Sequence, residues 1–194
     1  MTSTNRTQLG TRIALFVIAL AATASTAGAQ RTTKDTEAIV AGIRALYAET
    51  ERDLPGYRKV QRELEGWSVD GGTLTGAFDG TQLRKLAAEH IGETWHGTEE
   101  HYFRNDSLVF AYVVHHVTGE PMSEQPRATI EHRLYFDAGR LIRRTRIVRP
   151  ARLQGEHRER DPEVDDVIEG AAVMAACVRA ADAAKPCVAP GYDG

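Results

Sequence analysis

Seven histidines are the first side chains in this sequence that could do chemistry. A neutral imidazole both ligates metals and carries protons near neutral pH. His96, Glu99, Glu100 and His101 lie within six residues, and His115 and His116 follow one strand later. A turn at Asn105 and Asp106 would place His101 opposite Phe110 and His96 opposite His115. His96, Glu100 and His115 would then share a sheet face, with His101 on the other. A metal needs three or four converging donors, so the expectation is a zinc or other divalent-metal site built on His96, Glu100 and His115, with His101 as a further candidate. The competing reading is a set of half-exposed strand histidines and no cofactor. His132, between Ile130 and Leu134, reads as a hydrogen-bonded core histidine, and His90 and His157 read as surface.

Arginine supplies the second constellation. Arg140, Arg143, Arg144, Arg146, Arg149 and Arg152 crowd one short segment. A hairpin centred on Ala138 and Gly139 would set Glu131 opposite Arg146, an ordinary cross-strand ion pair, and Arg133 opposite Arg144. Two guanidinium groups facing each other repel and call for an acid or a bound anion. The expectation is an anion site on Arg133, Arg144 and Arg146 for a phosphate, a uronate or a lipid head group. Its alternative is a solvated face neutralised by neighbouring acids.

Several chemistries lack their motif. The sequence contains no Gly-x-Ser-x-Gly elbow, no His-Glu-x-x-His, no Gly-rich phosphate loop and no spaced Asp/Asn calcium loop. Tyr102, Tyr112 and Tyr135 alternate with apolar residues and read as sheet packing, a judgement that an exposed aromatic row would reverse.

The elements that must position these residues follow from periodicity. Thr32 or Thr33 can cap a helix carrying Ile39, Val40, Ile43, Leu46 and Tyr47 on one stripe, stopped by Asp53, Leu54, Pro55 and Gly56. Alternation then predicts strands over 57–64, 72–79, 83–91, 97–104, 107–117, 128–136 and 140–148. Three two-residue turns set Phe78 opposite Leu83, Phe103 opposite Leu108 and Phe136 opposite Leu141. The connection 118–127, with two prolines, is a candidate binding edge. Asp161 and Pro162 should start a second helix running to about Ala184, its stripe formed by Val164, Val167, Ile168, Ala171, Met174, Cys177 and Val178. The predicted fold is α+β: an N-terminal helix, an antiparallel β-meander of about six to seven strands, and a C-terminal helix packed on one sheet face.

The segments 66–72 (GWSVDGG), 100–103 (EHYF), 108–110 (LVF), 133–136 (RLYF) and 141–143 (LIR) carry a resemblance. Over roughly half its length the chain resembles a type of small exported bacterial protein with a repeated hairpin sheet. The resemblance implies that fold and brings no catalytic residue with it.

The N-terminus sets the compartment. Arg6 and Arg12, an apolar run over 13–22 and the small residues Ala27, Gly28 and Ala29 read as a signal peptide over 1–29, cleaved near Gln30. The run is shorter than the roughly 20 residues of a transmembrane helix. Residues 30–194 would form a single α+β domain, periplasmic or secreted, with no transmembrane anchor. Loss of Arg6 and Arg12 leaves 22 basic against 27 acidic residues, a sign that disfavours nucleic acid. Cys177 and Cys187 are the only cysteines and in an oxidising compartment should form a disulfide. With no nucleophile, acid pair or cofactor motif, the leading expectation is a non-enzymatic domain that binds an envelope or extracellular ligand. The alternatives are a metal-binding protein or metal-dependent enzyme, and a structural envelope protein acting through oligomer contacts.

Overall fold

The computed structural model describes residues 33–118, 125–182 and 184–193, all within one compact unit. The expected signal peptide and the centre of the 118–127 connection lie outside the described residues.

Helix α1 spans Thr33–Asp53 and ends in a short 3-10 turn at Leu54–Gly56, where Pro55 sits at the start. Seven antiparallel strands follow: β1 Arg58–Glu65, β2 Gly72–Asp79, β3 Gln82–Gly92, β4 Trp95–Arg104, β5 Ser107–Val117, β6 Ala128–Asp137 and β7 Arg140–Arg149. Helix α2 spans Val164–Arg179, and β8 is the pair Cys187–Val188. The sheet order is β7-β6-β5-β4-β3-β2-β1-β8. The sheet therefore has eight strands, one more than alternation suggests, and β8 joins the edge parallel to β1 through Leu64 and Cys187. Two residues are too few to leave a periodic signal. Helix α2 begins at Val164 and stops at Arg179, later than the start expected at Asp161 and Pro162 and earlier than the end expected near Ala184, while its apolar stripe from Val164 to Val178 lies wholly within it.

Each of the three hairpins closes with the expected Phe–Leu pair, Phe78 with Leu83, Phe103 with Leu108 and Phe136 with Leu141. The turns Asn105–Asp106 and Ala138–Gly139 have positive φ at both central residues (50° and 61°, 48° and 73°), the backbone twist that matches flanking strands. Immediately past each Leu the register slips by one residue, so that Arg84, Val109 and Ile142 have no partner across the ladder. These are β-bulges, which set two successive side chains on one face.

Both faces of the sheet are covered. The Phe–Leu pairs, with Leu74, Leu86, Ala111 and Leu134, lie on the face that meets α2. The helix approaches closely there: a Cβ on Gly76 would stand 2.9 Å from the Val178 side chain. The other face meets α1 through Val40, Ile43 and Leu46, each contributing about 1.5–3 kcal/mol by burial. The bulges belong to this second contact. Arg84 pairs with Glu49 at 3.6 Å, Val109 packs beside Val40 and Ile43, and Ile142 adjoins the same cluster. The packing of α1 on the face opposite α2 corrects the expectation of a single covered face; a helix stripe shows that a helix must pack and not which side of the sheet it takes.

Cys177 and Cys187 are bonded, tying α2 to β8 across a sequence separation of 10. Closing so short a loop stabilises by at most about 3 kcal/mol. Reduction should lower the urea midpoint accordingly and release the β8 edge, which backbone amide exchange at Glu65 and Ala189 would register. Equal protection of those amides with and without reductant would contradict this.

Candidate functional site

The bulges decide where the chemistry goes. Past Val109, His101 faces Ala111 and His96 faces His116, one residue away from the pairing that a plain two-residue hairpin implies. A one-residue slip exchanges faces. His96 and Glu100 therefore lie on the α1 face, and His101 and His115 on the α2 face. The four metal candidates do not converge, and among the described residues no three His, Cys, Asp or Glu side chains form a group that could hold a metal ion. His96 stacks on His116 with ring centroids 4.5 Å apart.

The bulge at Ile142 has the same effect on the arginines. Arg133 faces Thr145, Arg144 faces Leu134, Arg146 faces His132 and Glu131 faces Ile147. The anticipated Arg133–Arg144 repulsion and the Glu131–Arg146 pair are both absent. Arg133 lies on the α1 face, 3.2 Å from Glu131, which also pairs with Arg149. Arg144 and Arg146 point to the α2 face, where Arg146 is bound to Asp161 at 2.6 Å and to the backbone carbonyls of Gln154 and Glu156. The three do not form one anion site.

On the α1 face the structure opens a cleft of about 600 Å³ between the middle of α1 and strands β5 to β7, a size typical of small-molecule sites. Its floor is aromatic. Phe110 lies 4.9 Å from Tyr135 and 5.8 Å from Tyr47, centroid to centroid, and Tyr112 extends the row. Arg133 stands over Tyr112 at 5.2 Å and Arg44 over Tyr135 at 5.8 Å. Stacked on rings, the two guanidinium groups keep N–H edges for a ligand. Arg44 has no ion pair within 4.0 Å among the described residues. Tyr102 and Tyr135 are buried, as sheet packing predicts, whereas Tyr47 is 37 % exposed.

Helix α1 crosses this cleft like a strap held at both ends. Near its start Glu37 pairs with Arg143, and near its end Glu51 bonds Lys85 at 2.8 Å. Lys85 also bonds Glu100 at 2.7 Å, and the Tyr102 hydroxyl lies 2.8 Å from Glu51 and 2.7 Å from Glu100. Burial pushes the Lys85 ammonium down, but its hydrogen bonds to Glu100 and Glu51 outweigh that and hold it above its usual value. Burial, with Glu51 and Glu100 close by, raises the Tyr47 phenol, so the cleft offers a neutral aromatic surface and fixed cations.

The α2 face carries a different constellation. His90, Glu99, His101, His115 and His132 all point to it. Glu99 lies between two imidazoles, 3.5 Å from His90 Nε2 and 3.5 Å from His101 Nε2, beyond hydrogen-bond length for such pairs. Burial pushes His90, His101, His115 and His132 down to about 4 and Glu99 up to about 7. His132 is fully buried with Asp161 at 3.3 Å. His90 is also buried, which corrects its surface reading: Gly72 and Gly97 flank it in the ladder, and Trp67 packs nearby at 6.5 Å. Above this patch a cleft of about 510 Å³ opens beneath the segment 158–163 and the start of α2.

Sequence reasoning missed Arg44 and Tyr47 as ligand-facing residues. Their spacing of three on an otherwise core-directed helix was the available signal, but only the tertiary structure shows that Tyr47, edge-on to Phe110, and Arg44, over Tyr135, also line an open cleft. It also missed Glu99, whose importance rests on His90 being inside.

The fold and its two clefts define an α+β protein with a helix on each face of an eight-stranded, mostly antiparallel sheet. No protein-family model, curated protein or solved structure matches the chain. Among the described residues no helix is long and apolar enough to cross a membrane.

Proposed function

We propose that this chain is an exported, non-enzymatic binding domain that takes an amphipathic anion in the cleft beneath α1. The observation that carries the reading is the pairing of an aromatic floor with two ring-stacked arginines, Arg44 and Arg133, in a cleft of about 600 Å³. Apolar surface supplies affinity, and the fixed guanidinium groups select an acidic head, the chemistry of an anionic envelope component. The basic start, apolar run and small-residue end of residues 1–29 support export, and the disulfide is compatible with it.

A matched pair of fluorescent probes tests this. The anion 8-anilinonaphthalene-1-sulfonate should bind at least about tenfold tighter than its uncharged analogue N-phenyl-1-naphthylamine, the equivalent of one charge-assisted contact. Combined Arg44→Gln and Arg133→Gln should erase that preference while leaving the neutral probe bound, and added salt should weaken only the anion. Equal affinity for the two probes in the unaltered protein would refute the reading.

A further inference from the structure

The cleft on the α2 face holds two side chains of opposite charge type, Glu99 and Arg160, neither with an oppositely charged Asp, Glu, Lys or Arg within 4.0 Å among the described residues. Glu99 forms the floor, with about a quarter of its side chain still open and no Lys or Arg within 4.0 Å among the described residues. His90 and His101 behind it are neutral near pH 7, and neither ring makes a hydrogen bond there. Arg160 lines the opposite wall, stacked over Trp95 at 5.1 Å, and its Nε is buried without a hydrogen-bond partner. Its neighbour Arg158 is already bound to Asp161 at 3.2 Å, and Asp161 is occupied by Arg146. Glu99 and Arg160 share the cleft without forming an ion pair with each other.

Partly buried charges without a partner are costly to the degree that they are desolvated, and a ligand is favoured to the extent that it compensates them. A simple anion would meet Glu99, Glu163 and Asp166 in the same cleft. A simple cation would meet Arg158 and Arg160. An uncharged polyol would leave both orphaned charges as they are. A ligand bearing an ammonium at one end and a carboxylate at the other compensates both, and the Trp67 ring on the cleft wall accepts an apolar spacer between them.

We propose that the cleft between the sheet and the segment 158–163 is a second binding site, for a small zwitterion of the amino-acid type, with Glu99 receiving the ammonium and Arg160 the carboxylate. The site lies on the opposite sheet face from the aromatic cleft and stands independently of it. Glu99 must be ionised to act. The titratable and charged groups that line the cleft with it or flank it are His90, His101 and His115 on the sheet, Arg158, Glu159, Arg160, Asp161 and Glu163 on the covering segment, and Asp166 on α2. Affinity should therefore be greatest above pH 7 and fall as Glu99 takes up its proton.

Calorimetric titration of the full chain at pH 8 with the ω-amino acid series from glycine to 6-aminohexanoate tests this, with butylamine and butanoate as singly charged controls. At least one length should bind tenfold or more tighter than either control. Glu99→Gln, a near-isosteric change, and separately Arg160→Gln should each reduce that affinity at least tenfold while leaving 8-anilinonaphthalene-1-sulfonate binding unchanged. A series in which no member exceeds both controls, or in which both variants bind like the parent, would overturn the proposal.

Discussion

Lowering the pH from about 6.5 to about 4.5 should cost the fold on the order of 5 kcal/mol, enough to unfold a domain of ordinary marginal stability. The cause is the histidine patch under α2. His90, His101 and His132 are enclosed and, mainly through burial, titrate near 4 in the folded chain against 6.5 when free. The unfolded chain consequently binds more protons throughout that window. Stability is fully present above 6.5 and is lost as the pH falls through it toward 4. A full shift corresponds to about 3 kcal/mol per residue at about 1.4 kcal/mol per pH unit, though neighbours in one patch do not add independently. Glu99 acts in the opposite sense. Burial raises it to about 7 from 4.5, so its contribution is complete below 4.5 and is lost as the pH rises through 7. One carboxyl offsets about one histidine and leaves the others. Urea midpoints measured every half unit between pH 7.5 and 4.5 should fall steadily. His101→Leu should flatten the slope by about one proton. A midpoint independent of pH would show that these imidazoles are not buried as described.

The second large effect concerns the strap. Lys85→Met should destabilise the protein by about 2–4 kcal/mol, below the full value for a fully buried pair because Glu51 and Glu100 remain about one-third exposed. The substitution keeps the side-chain volume but leaves two carboxylates and the Tyr102 hydroxyl facing one another without a cation. Burial and the hydrogen bonds and charges of Glu100 and Glu51 already hold that phenol far above its usual value, so it stays neutral and cannot take over the role of the lysine. Two checks separate this cause from simple loss of packing. Adding Glu51→Gln should restore part of the stability, and the variant should lose less than the parent on mild acidification, since its carboxylates are then neutralised. Loss of α1 docking should also weaken the anionic probe in the aromatic cleft. A change below about 1 kcal/mol would show that the ammonium is not needed.

Local chemistry along the chain determined much of this protein. A 3.6-residue stripe specified α1, alternation located seven strands within a few residues, and three turns paired Phe with Leu as expected. The disulfide was legible because two cysteines allow a single pairing. Tertiary structure decided which residues meet. At Arg84, Val109 and Ile142 one extra residue per hairpin exchanges the faces of everything beyond it, which separates His96 from His115 and Arg133 from Arg144. No residue type marks these bulges: an arginine, a valine and an isoleucine occupy them. They persist because α1 packs on the side chains they redirect, a contact more than thirty residues away in sequence. Packing on the opposite face, with Trp67 beside His90, helps bury that imidazole, while the docking of α1 leaves Tyr47 beside an open cleft. Strand periodicity is a property of neighbours in sequence, whereas the face each side chain takes depends on what packs against the sheet.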